Sequence, residues 1–199
     1  MSEEAEVRAP RLDDVGLVLP ADWWTIDLRS DEAIRRSADA LVERQLGRAD
    51  VRASLRADAR RRLVDAATSA SRAGGRLMAV SLMAAAGVPI SLSLTVYRVP
   101  GAGVGGGLGD VEAALRSADG ADVAAVEGTV FPALRHVAER SGPAELGAEN
   151  VPMLIADYWL DPGGEHGLLL LTFSTPLVAL RQGMIELFDA VVATVRPAS

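Results

Sequence analysis

The chain has 199 residues, of which 49% are apolar and 24% charged, and it carries a net charge of −7 at pH 7. That length is enough to bury a sizeable core in one domain, and the negative balance argues against a nucleic-acid partner. No apolar run approaches the roughly 18 residues a membrane helix needs, and the absence of Cys excludes disulfides, thiolate nucleophiles and thiolate zinc sites.

The acidic start, MSEEAEVRAPRLDD, is aperiodic and has no apolar h-region. It predicts a disordered tail over residues 1–14 and a cytoplasmic protein, with a single α+β domain over 15–197. Gly16–Pro20 reads as a short first strand. In the alternation that follows, Trp23 and Trp24 point in different directions, so one enters the core while the other covers a seam or meets a partner. Ser30 followed by Asp31 and Glu32 marks a helix N-terminus, a side-chain cap with acids facing the dipole, and the helix runs to Leu46 and breaks at Gly47. A second helical piece from about Asp50 to Ser71 stops at Gly74 and Gly75, so residues 30–73 form a long helical segment. Within it Arg44, Arg48, Arg52, Arg56 and Arg60 recur every four residues as a slowly drifting basic stripe.

Arg76–Ala84 and Val88–Val96 are expected to pair as an antiparallel hairpin. In the second run Val88, Ile90, Leu92, Leu94 and Val96 alternate with Pro89, Ser91, Ser93, Thr95 and Tyr97, the pattern of one buried and one polar face. The Gly-rich loop over 100–109 matches G-x-G-x-x-G at 101–106. The strand before it belongs to a hairpin rather than a βαβ unit, and a Walker A loop needs a Lys where all twenty basic residues are Arg. A connector without a cofactor is therefore expected. Asp110 caps a short helix through Ala118, strands follow over Val123–Val130 and Leu134–Arg140, and Ser141–Asn150 is a loop.

At the C-terminal end, Val151–Leu160 and Leu168–Ser174 flank the turn Asp161-Pro162-Gly163-Gly164. The second strand is apolar on both faces, which predicts an inner position. Thr175 and Pro176 start a helix whose apolar stripe is Leu177, Leu180, Met184, Leu187, Phe188, Val191 and Val195, and Pro197 stops it.

Few residues suit catalysis. His136 and His166 have no metal-ligand partner at helical i, i+4 spacing, and His166 beside Asp161 and Glu165 reads as an exposed turn. No G-x-S-x-G elbow occurs, and Ser174 at a strand end needs no more than a capping role. No catalytic residue, metal ligand set or cofactor site is identified.

The segment LVLPADWWTIDL near the start and YWLDPGGEHGLLLLTFSTPLVALRQGMIELFDAVVATVRP at the end resemble the PsbP/Mog1-like domains of actinobacteria, including the LpqN-type proteins. The resemblance implies an antiparallel sheet sandwiched between helices, an α/β/α arrangement, with the Arg-rich helical segment inserted after the first strand. The Arg-rich segment and the Gly-rich loop have no counterpart in the family pattern, and the lipoprotein signal of LpqN-type members is absent. The resemblance also implies a non-enzymatic accessory or adaptor role, with a link to bacterial secretion loci.

Charge points to the surface involved. Residues 44–76 hold nine Arg against Asp50, Asp58 and Asp65, so the segment is about +6 and the remainder about −13. Arg48, Arg52, Arg56 and Arg60 are the candidate partner surface, for an acidic protein or for self-association. The alternative is a small-molecule-binding protein or enzyme with a pocket between sheet and helices, lined by Trp23, Trp24, Tyr97 or Tyr158.

Overall fold

The strand Leu168–Thr175 (β11) lies at the centre of a seven-stranded antiparallel sheet. The computed structural model describes residues 11–12, 15–47, 53–85, 88–100, 107–142, 149–163 and 167–198. To one side of β11 lie Ser93–Val99 (β7), Gly75–Ser81 (β4) and the edge strand Trp23–Asp27 (β3). To the other lie Pro152–Leu160 (β10), Ala133–Ser141 (β9) and Asp122–Ala125 (β8). A small sheet joins Arg11–Leu12 (β1), Val15–Gly16 (β2) and Arg196–Pro197 (β12), and Ala84–Ala85 (β5) pairs with Val88–Pro89 (β6). The helices are Asp31–Leu46 (α1), Ala53–Arg72 (α2), Leu108–Arg116 (α3) and Arg181–Val192 (α4). The chain is thus α+β with a large antiparallel sheet. Among the described residues no helix is long and apolar enough to cross a membrane.

Alternation along the strands divides the core in two. On one face Leu94, Val96, Leu154, Ala156, Tyr158, Leu171 and Phe173 are fully buried and pack with Ile185, Phe188, Val191 and Val192 of α4. On the opposite face Ile26 and Met78 pack with Ile34 of α1 and Ala67 of α2. Trp23 belongs to the first cluster and Trp24 borders the second, as their opposite directions require. Ser30 caps α1 by accepting the Ala33 N–H at 3.2 Å, and Gly47 ends it at φ 65°.

The tertiary structure corrects several boundaries. Thr175 does accept the Leu177 N–H, but it is the last residue of β11, fully buried, and also donates to the Ser91 carbonyl; α4 begins six residues later. Leu180 is 56% exposed rather than on the packed stripe. The helix ends at Val192, well before Pro197. Thr194 bonds the Val191 carbonyl and the backbone of Val18, and Pro197 sits in β12. The strand expected over 88–96 divides: 88–89 folds back on β5, and the sheet strand is β7, pairing antiparallel with β4. Asp110 is not the cap of α3 but accepts the Gly107 N–H from inside the first turn. The strand near 123–130 stops at Ala125, and of Gly16–Pro20 only Gly16 is in a strand. The Gly-rich stretch 101–106 lies outside the described residues.

Gly75 opens β4 where α2 turns into the sheet. A Cβ there would lie 2.7 Å from the Ala70 carbonyl oxygen and 2.9 Å from Leu28 Cδ1. Backbone cannot move aside as a side-chain tip can, so Gly75→Ala is expected to cost about 1–3 kcal/mol, measured as a lower urea midpoint.

Candidate functional site

Residues in register on neighbouring strands share a face, so the pairing alone assembles a row of polar side chains. His136 of β9 stands opposite Asp157 of β10, Asp157 opposite Thr172 of β11, and Thr172 opposite Thr95 of β7. The neighbouring row is Leu134, Trp159, Leu170 and Tyr97; on the other side lie Ala138, Ile155, Ser174 and Ser93. Apart from buried Leu134 these residues are half-buried, whereas the opposite face of the same strands is mostly sealed under α4. The difference arises because α1 packs on β3 and α2 on β4, at one end of the sheet, while α3 packs against β8 and β9 at the other.

The row is partly bonded within itself. Thr172 Oγ1 donates to Asp157 Oδ1 at 2.7 Å, and the Ser93 and Ser174 hydroxyls are 2.6 Å apart. Asp157 Oδ2 is 3.9 Å from His136 Nδ1, beyond hydrogen-bond reach. Burial, together with the nearby Asp157 charge, holds the Tyr97 phenol above its ordinary pKa despite the hydrogen bond to Thr95. Beside Ser93 and Ser174 is a shallow open trough of about 270 Å³, lined also by Val80, Ser91, Met153 and Pro176. Hydroxyls, one carboxylate, one imidazole and flanking aromatics form a surface suited to binding. Among the described residues no group of three or more His, Asp or Glu could hold a metal ion.

Of the arginines of the sequence-predicted surface, those among the described residues do not converge on this face. Arg48 and Arg52 lie outside the described residues. Arg56 is half-buried on α2, and exposed Arg60 reaches back to α1, where its Nη2 donates to Asp39 at 3.0 Å. Arg44 stacks over the Trp24 ring at 5.6 Å. Arg61 pairs with Asp58 at 2.7 Å on the outer side.

The four aromatics offered as alternatives for a pocket lining are dispersed. Trp23 and Tyr158 are buried in the α4-side core, Trp24 borders the helix-side cluster, and Tyr97 is on the half-open face. Tyr158 instead belongs to a structural network. Its hydroxyl donates to Asp189 at 2.7 Å, and Arg135 Nη1 donates to the same carboxylate at 2.6 Å, tying α4 to β10 and β9. His166 and Glu165 lie outside the described residues, and Asp161 accepts the Gly163 N–H within the turn.

Sequence reasoning missed the His136–Asp157–Thr172–Thr95 row. The alternation of Ser93, Thr95 and Tyr97 announced a polar face, but which residues face one another depends on strand order and register. No protein-family model matches the chain, and no curated protein matches it in sequence.

Proposed function

We propose that the chain is a non-enzymatic, adaptor-like interaction protein of the PsbP/Mog1-like (LpqN-type) kind, acting in the cytoplasm and presenting its Arg-rich helix to an acidic protein partner. The observation that carries this reading is the weak burial of α2. Of its 20 residues only Ala67 is buried, whereas α1 buries five of 16. A long helix contributing so little to its own core leaves a broad surface available. That surface carries exposed Leu55, Arg61, Arg62 and Arg72 on a chain that is acidic elsewhere. The inserted character of the Arg-rich segment and the link to a bacterial secretion system rest on the family resemblance.

The test is charge reversal at Arg61, Arg62 and Arg72 to Glu, read by affinity capture from a native lysate at low and moderate salt. An acidic protein retained by the wild type should be lost from the variant, and its binding should weaken with salt as charges are screened over about 8–10 Å. The variant's melting temperature should stay within a few degrees, because exposed ion pairs contribute about 0–1 kcal/mol. Loss of a dimer instead would make self-association the role of α2. Unchanged capture and unchanged oligomeric state would dismiss the helix as an interface.

A further inference from the structure

We infer that the half-open sheet face over β7, β11, β10 and β9 binds a small, neutral, polyhydroxylated molecule, a sugar or cyclic polyol, centred on Asp157 and His136. This goes beyond the partner reading of α2 and uses none of its residues.

The argument begins at the 3.9 Å separation between Asp157 Oδ2 and His136 Nδ1. Their side chains are 20% and 13% exposed, so the pair is partly shielded from bulk water, and the gap is too long for direct bonding. Asp157 Oδ1 already has the Thr172 hydroxyl, leaving Oδ2 as the acceptor that faces the gap. A group that donates to a carboxylate and also accepts from an imidazole N–H satisfies both, and a hydroxyl does so. With the ring proton on Nδ1 an ammonium offers it nothing, and an anion is repelled by Asp157 and by a chain of net charge −7.

The surroundings extend the same chemistry. Thr95 stands beyond Thr172 in the row, and Ser93 and Ser174 stand in the next row, about 7 Å along the strands. They can exchange hydrogen bonds with further hydroxyls. On the other side of the row stand Trp159 and Tyr97, both half-buried, one on each side of Leu170. The adjoining trough, about 270 Å³, is lined by Ser93 and Ser174 rather than by Asp157 or His136, and it falls just below the range of roughly 300–1,000 Å³ usual for ligand clefts.

The experiment uses the full chain and three probes: D-glucose, D-galactose and myo-inositol. Each is titrated into the tens of millimolar while backbone amide spectra and tryptophan fluorescence are recorded. At least one probe should give saturable shifts concentrated at residues 95, 136, 157 and 172. Asp157→Asn, which keeps the volume but removes the charge, should weaken that binding roughly tenfold or more. If that variant does not fold, His136→Gln supplies the same reading. No saturable shift with any probe, or binding that the substitutions leave unchanged, would overturn the inference and reduce the gap to one bridged by water. Reversal of α2 charges should leave probe binding intact, so the two proposals fail separately.

Discussion

Replacing Phe188 by Ala is expected to lower stability by about 3–5 kcal/mol, the cost of removing a fully buried Phe. For a chain of this size that corresponds to a fall in melting temperature of roughly 6–20 °C. The reason is its position. Phe188 is 0% exposed and stacks on Phe173, with ring centroids 4.4 Å apart. Phe173 in turn makes edge contacts with Tyr158 at 5.6 Å and Trp23 at 6.5 Å. One side chain of α4 therefore supports an aromatic cluster reaching from β10 to the edge strand β3, and little around it can collapse into the vacated space. Chemical denaturation monitored by circular dichroism gives the value. A loss below about 1 kcal/mol would show that α4 is peripheral to the core.

A second large effect is expected at alkaline pH. Burial, reinforced by the hydrogen bond to the Asp189 carboxylate, pushes the Tyr158 phenol far above its ordinary value, and Tyr97 is also raised, chiefly by burial. A raised folded pKa means that the native state keeps a proton the unfolded chain gives up. The associated stability is fully present below the unfolded value, about 10, and is lost as pH rises beyond it. The background is unusually clean, since the chain has no Lys, no Cys and two Tyr. Stability should change little from about pH 8 to about 10, then fall by about 1.4 kcal/mol per pH unit for each tyrosine held protonated. Tyr158→Phe should cost about 1–3 kcal/mol at neutral pH by taking a donor from Asp189, yet flatten the alkaline slope by one tyrosine's share. Urea midpoints across that pH range test both statements. An unchanged slope in the variant would mean that the phenol ionises freely in the native state.

Local signals set much of the fold. The strands β10 and β11 around a Pro-Gly turn, the Ser30 cap, the break at Gly47 and the helical repeat carrying Phe188 and Val191 are all legible from residue type and spacing. These features depend on neighbours a few positions apart, where backbone sterics, capping and periodicity act directly. The errors have a common origin. Thr175-Pro176 has the chemistry of a helix start, but the Thr175 hydroxyl also bonds the distant Ser91 carbonyl and stays in the sheet. The C-terminal end of α4 was set by Thr194 meeting Val18 from the other end of the chain, not by Pro197.

The amino-acid sequence by itself determined the α+β character, the antiparallel pairing of the last two strands, the all-Arg basic complement and the absence of thiol chemistry. Tertiary structure alone decided which polar groups meet. Asp157, His136, Thr172 and Thr95 are far apart along the chain and join only because β9, β10, β11 and β7 are adjacent in one register. Asp189, a polar residue off its helix's apolar stripe, became the partner of Tyr158 and Arg135 only when α4 docked on the sheet. Strand order and helix docking arise from burying apolar area across the whole chain, a non-directional force that leaves no local signature in the residues it brings together.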